Sequence, residues 1–212
     1  MQVTHSKTDI GKLKDIYEMD LKGKKIILAS NSPRRRELLA GLNIDFTIDT
    51  GTDFEEKFSP DTPHSEVPAL MSEGKNLHFH RPLAGDEILI TSDTMVLCDS
   101  LIMGKPHSRE EAVAMLRSLS GRSHEVKTAV TMRDCHGYKT VVDTTEVEFK
   151  ALSDSEIDYY IDNFKPYDKA GAYGIQEWIG YIGITGIRGS YFNVMGFPVH
   201  VVYQLLMEFV NR

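Results

Sequence analysis

Cysteine is nearly absent. Cys98 and Cys135 are the only two among 212 residues, which gives neither a disulfide framework nor a thiolate metal site. They read as reduced thiols of an intracellular protein. Long apolar runs are also missing. No stretch approaches the roughly 20 residues of a membrane span, and the polar start MQVTHSKTDIGKLKDIYEMDLKGKK lacks the apolar core of a signal peptide. Positive charge is in deficit: 24 Lys and Arg stand against 31 Asp and Glu, a formal net charge of −7. That argues against sequence-independent nucleic-acid binding, which needs a basic face. A small phosphate ester remains open to it if the cations are focused in one cleft. There is no Walker A pattern, no GxGxxG fingerprint, and no His-x-x-x-His or Cys-x-x-Cys pair. The eight histidines are scattered and read as surface or structural residues. The hard oxygen donors that remain, chiefly Asp93 and the Asp53, Glu55, Glu56 loop, suit Mg2+ or Mn2+ rather than zinc.

What is present first draws the eye at ILASNSPRRRELLAGL, Ile27 to Leu42. Ser32 is a good N-cap, Pro33 suits the first helical position, and Leu38, Leu39 and Leu42 supply an inward stripe, with Gly41 as C-cap. Arg34, Arg35 and Arg36 therefore fall in the first turn. Cations at that end cost roughly 0.3–1 kcal/mol each when exposed. A bound anion would reverse the sign; a solvated basic face is the plainer alternative.

The remaining pattern predicts strands over Lys25 to Ser30 and Ile44 to Ile48, a loop over residues 50 to 64, and a helix from Ser65 to His80 despite Pro68 and Gly74. A strand from Ile88 to Thr91 resumes near Met95, and Asp99 to Lys105 makes a turn. Ser108 with Glu111, and Ser153 with Glu156, read as capping boxes opening two helices, the first ending at Gly121 and the second at Pro166. His124 to Met132 and Tyr138 to Phe149 form a hairpin around RDCHGY. A glycine-rich segment follows, then a helix from Val199 to Phe209. Residues 1–20 read as an N-terminal extension and 21–212 as one domain. The mixture argues for an α/β fold with a mixed sheet and flanking helices.

Polar residues interrupt apolar segments at four places: Ser30 to Arg36; Ser92-Asp93-Thr94; Lys105 within MGKPHS; and Asp168, Lys169 and Gln176 within DKAGAYGIQ. A carboxylate in a run as apolar as that around Asp93 costs several kcal/mol unless paired or bound to a cation. A solvated turn after Thr91 is the alternative reading. Glycines around Gln176 allow close backbone approach to a ligand, or simply mark tight loops.

Together these segments, with AVAMLRSLSGRSHEV and GSYFNVMGFPV, resemble the Maf family of nucleotide pyrophosphatases from Lys24 to Phe209. The resemblance implies two lobes of a mixed, twisted sheet around a central cleft, a homodimer in the cytoplasm, a divalent cation (Mg2+ or Mn2+), and hydrolysis of a nucleoside triphosphate to the monophosphate and pyrophosphate. The subgroup with SPRR, DT and AYGIQ acts on dTTP and UTP, and this chain matches it at Arg34-Arg35, Asp93-Thr94 and Ala172 to Gln176. It implies Asp93 as general base or metal ligand, with Glu55, or Glu56 one register away, as second ligand. It also implies Ser30, Arg34, Arg35, Lys75 and Lys105 on substrate, and selectivity linked to Arg35, Thr94 and Gln176. Arg36 is expected to be solvated. A regulatory, nucleotide-sensing role linked to cell division is the alternative attached to this family. Two departures stand out: Phe164-Lys165-Pro166 replaces the usual Gly-Glu-Pro, and Lys75-Asn76 replaces Lys-Ala.

Overall fold

The apolar runs become strands of one mixed sheet. The computed structural model describes residues 19–99 and 101–212. Among these the strands are β1 (Lys25–Leu28), β2 (Phe46–Ile48), β3 (Glu87–Cys98), β4 (Leu101–Met103), β5 (Ser123–Asp134), β6 (Gly137–Phe149) and β7 (Ile184–Arg188). The order is β2-β1-β3-β5-β6-β7, with β4 added beside β3. β1 pairs in parallel with β2 and β3, while β5, β6 and β7 continue antiparallel. The α-helices are α1 (Pro33–Ala40), α2 (Val67–Leu77), α3 (Arg109–Leu119), α4 (Asp154–Phe164), α5 (Trp178–Gly183), α6 (Tyr191–Val194) and α7 (Val199–Val210).

β3 and β5 are long enough to serve two cores. Ile88, Ile90, Val130 and Met132 pack with Leu38 and Leu39 of α1 and with the Val202, Leu205, Leu206, Phe209 stripe of α7. Further along the same two strands, Val96 and Val126 pack with Leu116 of α3 and Tyr160 of α4. Two lobes therefore share one sheet, as the resemblance implied. Met19 is buried in the first core, so it belongs to the packed body; the remainder of the expected extension, residues 1–18, lies outside the described residues.

Several local readings need correction. Ser92-Asp93-Thr94 is not a break: β3 runs on through it, because β5 pairs along nearly its whole length, from Leu89↔Arg133 to Leu97↔Glu125. The expected turn after Asp99 contains β4, paired from Val96↔Met103. The first capping box is half formed. Ser108 accepts from the Glu111 amide at 3.2 Å, but the Glu111 carboxylate takes the His107 amide at 2.7 Å instead. The second, Ser153 with Glu156, is complete. Gly41 ends α1 in a right-handed conformation, and the left-handed position falls to Asn43. The glycine-rich segment holds α5, β7 and α6, none of which its sequence announced.

Helix α2 lies on the sheet through polar contacts as well as apolar ones. Pro68 sits in its first turn, where a missing N–H costs nothing. Gly74 is required by close approach: a Cβ there would lie 2.2 Å from the Phe54 ring. Asn76, fully buried, donates from Nδ2 to Thr91 Oγ1 at 3.1 Å and to the Thr131 carbonyl at 3.1 Å. Its place beside Lys75, where the family pattern has alanine, thus ties the helix to β3 and β5. Asn76→Ala should lower unfolding free energy by about 1–3 kcal/mol, the cost of orphaned buried partners, in a urea titration with unchanged slope. A loss below about 0.5 kcal/mol would show that this anchor is dispensable.

Candidate active site

A gap in sheet pairing creates the site. β1 accompanies β3 only as far as Leu28↔Ile90, with the Ala29 amide donating to the Ile90 carbonyl at 2.9 Å. β4 takes up the same edge only from Val96. Between them, Thr91 to Met95 pair with β5 alone. Arg35 fills the gap. Its Nη1 donates to the Ser92 carbonyl at 2.6 Å, its Nε to the Gly196 carbonyl at 2.9 Å, and its Nη2 to Thr94 Oγ1 at 3.2 Å. Burial pushes the guanidinium's pKa down; the Asp93 carboxylate opposes this and Arg34 adds to it. Three of its N–H donors are thus engaged by backbone and Thr94, as a strand edge without partners demands, and Arg35 also lines the cleft. Thr94 is likewise part of the frame, its hydroxyl 3.1 Å from Thr128 Oγ1 and 3.4 Å from the Gly196 carbonyl. Arg36 is not simply solvated, since its Nε is buried without a partner.

Asp93 projects from this gap into a cleft of about 680 Å3 between the lobes. Its Oδ1 accepts from Lys75 Nζ at 2.6 Å, and Lys75 also lies 3.2 Å from Glu56 Oε1. Glu56 lines the cleft; Glu55 does not, and pairs with Lys57 in solvent. Of the two expected alternatives for a second metal ligand, Glu56 lines the cleft and Glu55 lies outside it. Lys75 and Asp93 are both largely shielded, with side chains 18% and 15% exposed. A lone charge there would be costly, so each requires the other.

The opposite wall comes from α1 and the segment after α4. Arg34 Nη1 meets Asp168 Oδ2 at 2.8 Å. Asp168 Oδ1 meets Lys169 Nζ at 2.7 Å, and Lys169 reaches Glu177 Oε1 at 3.1 Å. Glu177 accepts from the Tyr160 hydroxyl, which accepts from the Gly174 amide at 3.0 Å. Burial pushes the Asp168 carboxyl up, but hydrogen bonds from Lys169 and Arg34 outweigh it and hold it at about 2. Ser30 lines the cleft with its hydroxyl accepting from the Ser32 amide at 3.2 Å. Lys105 lines it with no carboxylate partner among the described residues. Gln176 also lines it, and its Oε1 is buried without a hydrogen-bond partner. The loop is pinned by Glu177 instead, which leaves the Gln176 amide available.

Ser30, Arg34, Arg35, Lys75, Asp93, Thr94, Lys105 and Gln176 thus meet in one cleft, and Glu55 lies outside it. Asp168 and Lys169, which lie in the DKAG run, and Glu177, which no motif marked, form a chain of ion pairs along the opposite wall. A carboxylate directly after Gln176 in an otherwise apolar and glycine-rich stretch was the available clue.

The two arginines should separate in the substrate-free protein. Arg35→Ala should cost about 1.5–3 kcal/mol of unfolding free energy, as expected for hydrogen bonds to a charged group. Arg34→Ala, which loses one partly exposed pair, should change it by less than about 1 kcal/mol. Equal effects in denaturant titrations would contradict the framing role of Arg35.

Comparison with known proteins covers most of the chain. A model of the family described as Maf-like protein matches residues 25–209. A protein of Bacteroides thetaiotaomicron named dTTP/UTP pyrophosphatase is 48% identical over 183 residues, 86% of this chain and 95% of that one. Proteins of the same name from Parabacteroides distasonis and Flavobacterium johnsoniae are 48% and 46% identical over 190 residues each. These alignments cover 90% of this chain and 98% and 97% of theirs. Among solved structures, a nucleoside-triphosphatase / dITP/XTP pyrophosphatase from Mycobacterium abscessus aligns with a TM-score of 0.42 and 15% identity over 88% of this chain and 97% of that one, too distant to carry an argument. With the family model spanning both lobes and every strand from β1 to β7, the chain belongs to the Maf-like protein family.

Proposed function

We propose that this chain hydrolyses nucleoside triphosphates, dTTP and UTP before others, to the monophosphate and pyrophosphate. The observation that carries the reading is the Asp93 carboxylate held by Lys75 in a cleft also bounded by Arg34, Lys105 and Lys169. Water attacks the α-phosphorus, the α–β bridging bond breaks, and pyrophosphate leaves. Asp93 Oδ1 is engaged by Lys75, and its other oxygen is left to orient the water and accept its proton. The cations face the charge that develops on the phosphates. The names of the close relatives support the substrate choice.

A divalent cation fits the donor chemistry. Asp93 and Glu56 are hard oxygen donors set around one ammonium, Lys75. Among the described residues no group of three His, Cys, Asp or Glu stands together. Such a pair suits Mg2+ or Mn2+, which are held by one or two carboxylates with substrate phosphates completing the shell. When bound, the cation would neutralise phosphate charge. The family also suggests a homodimer in the cytoplasm. Among the described residues no helix is long and apolar enough to cross a membrane. A sensing role without turnover is not favoured, since a carboxylate beside the phosphate subsite opposes anion binding and gains nothing in return.

Asp93→Asn should fold and lose about 10²–10⁴ in kcat for pyrophosphate release, the range for removing a general base; near-normal turnover would remove Asp93 from this role. Base choice rests on Gln176, whose amide offers a donor and an acceptor to the edge of a uracil or thymine ring. Measuring kcat/KM for dTTP, CTP and GTP should show a preference for dTTP that narrows in Gln176→Ala. An unchanged ratio would make Gln176 structural, and a purine preference in the wild type would overturn the substrate assignment.

A further inference from the structure

Arg34 stands in the first turn of α1, where a cation is disfavoured unless an anion faces it. In the free protein the anion is Asp168, arriving from the other lobe. The two ends of this carboxylate are held unequally. Oδ1 is bound by Lys169, whose side chain is only 9% exposed and is itself fixed by Glu177. Glu177 in turn takes the hydroxyl of the fully buried Tyr160. Oδ2 meets Arg34 where the pair is open to solvent, with Asp168 56% and Arg34 22% exposed. One end is anchored and the other releasable. A carboxylate and a phosphate each present a pair of acceptor oxygens that a guanidinium fork can engage.

We propose that Asp168 is a positioning residue that holds Arg34 aimed across the cleft in the free protein and yields it to the phosphate chain of the substrate. This rests on the phosphohydrolase reading above. Asp168 acts through Arg34: it keeps the guanidinium from turning to solvent, at the cost of competing with the incoming anion. Lys169 keeps Asp168 in place after the exchange, so the segment carrying Gln176 does not move with it. Because the carboxylate is held at about 2, it stays charged throughout the range above about pH 4. Release therefore comes from anion competition and not from protonation.

The test is a double-mutant cycle on pyrophosphate affinity, measured calorimetrically with sodium pyrophosphate and Mg2+ on the full chain. Asp168→Asn should tighten pyrophosphate about two- to fivefold, the worth of a partly exposed ion pair. In an Arg34→Ala background the same change should have no effect beyond error. The KM for dTTP should fall in Asp168→Asn with kcat within about twofold of wild type, a split that a merely structural role would not give. Asp168→Ser provides the same comparison if the asparagine variant folds poorly. Unchanged or weaker binding overturns the proposal, and so does absence of pyrophosphate binding by the wild type. Equal tightening with and without Arg34 also overturns it, because the effect is then long-range charge alone. Failure of the underlying reading would show separately, as no pyrophosphate release from dTTP by the wild type, and leaves the titration readable.

Discussion

The architecture of the cleft depends on five residues of β3 that have a strand on one side only. From Thr91 to Met95 the edge facing α1 is unpaired by backbone, and an interior strand edge left so would orphan its polar groups. Arg35 supplies a donor to the Ser92 carbonyl on this edge and reaches the Gly196 turn at the same time. One guanidinium thereby fixes α1, the middle of β3 and the turn before α7 relative to one another. The interruption that opens a cleft between two lobes is the same interruption that Arg35 must fill, so the site and its frame have one cause.

Charge inside the cleft is balanced before any substrate arrives. Lys75 is set against Asp93 and Glu56, and Arg34 and Lys169 against Asp168 and Glu177. That balance reconciles an acidic protein, net −7, with an anionic substrate class: the cations are local, and the surplus of carboxylates lies largely elsewhere. Lys105 stands apart, exposed and without a carboxylate partner among the described residues. A triphosphate entering such a site exchanges partners with groups already placed, which lowers the cost of ordering them.

Much of this was legible in the sequence because it depends on local chemistry. The cap at Ser32-Pro33, the second capping box at Ser153 and the apolar stripe of α7 each follow from short-range spacing. Asp93 stood out because a carboxylate within an apolar run demands a partner. What was not legible depends on long-range pairing. The interruption at Ser92-Asp93-Thr94 read as a break between two strand segments, and only β5 alongside keeps the strand intact. Arg34 and Arg35 look equivalent in the chain, yet Arg34 pairs with Asp168 and Arg35 holds the Ser92 and Gly196 carbonyls. Which of Glu55 and Glu56 lines the cleft depends on how the loop after β2 packs, which no spacing rule reveals. The helix and strand of the glycine-rich segment rest on neighbours such as β6, which pairs with β7.

In the proposed reaction water, oriented at Asp93, attacks the phosphorus nearest the nucleoside. The most direct test is hydrolysis of dTTP by the wild-type protein with Mg2+ in 18O-enriched water, followed by mass spectrometry of both products. One 18O is expected in the nucleoside monophosphate and none in pyrophosphate. Label in pyrophosphate, or release of inorganic phosphate in its place, would contradict the proposed reaction.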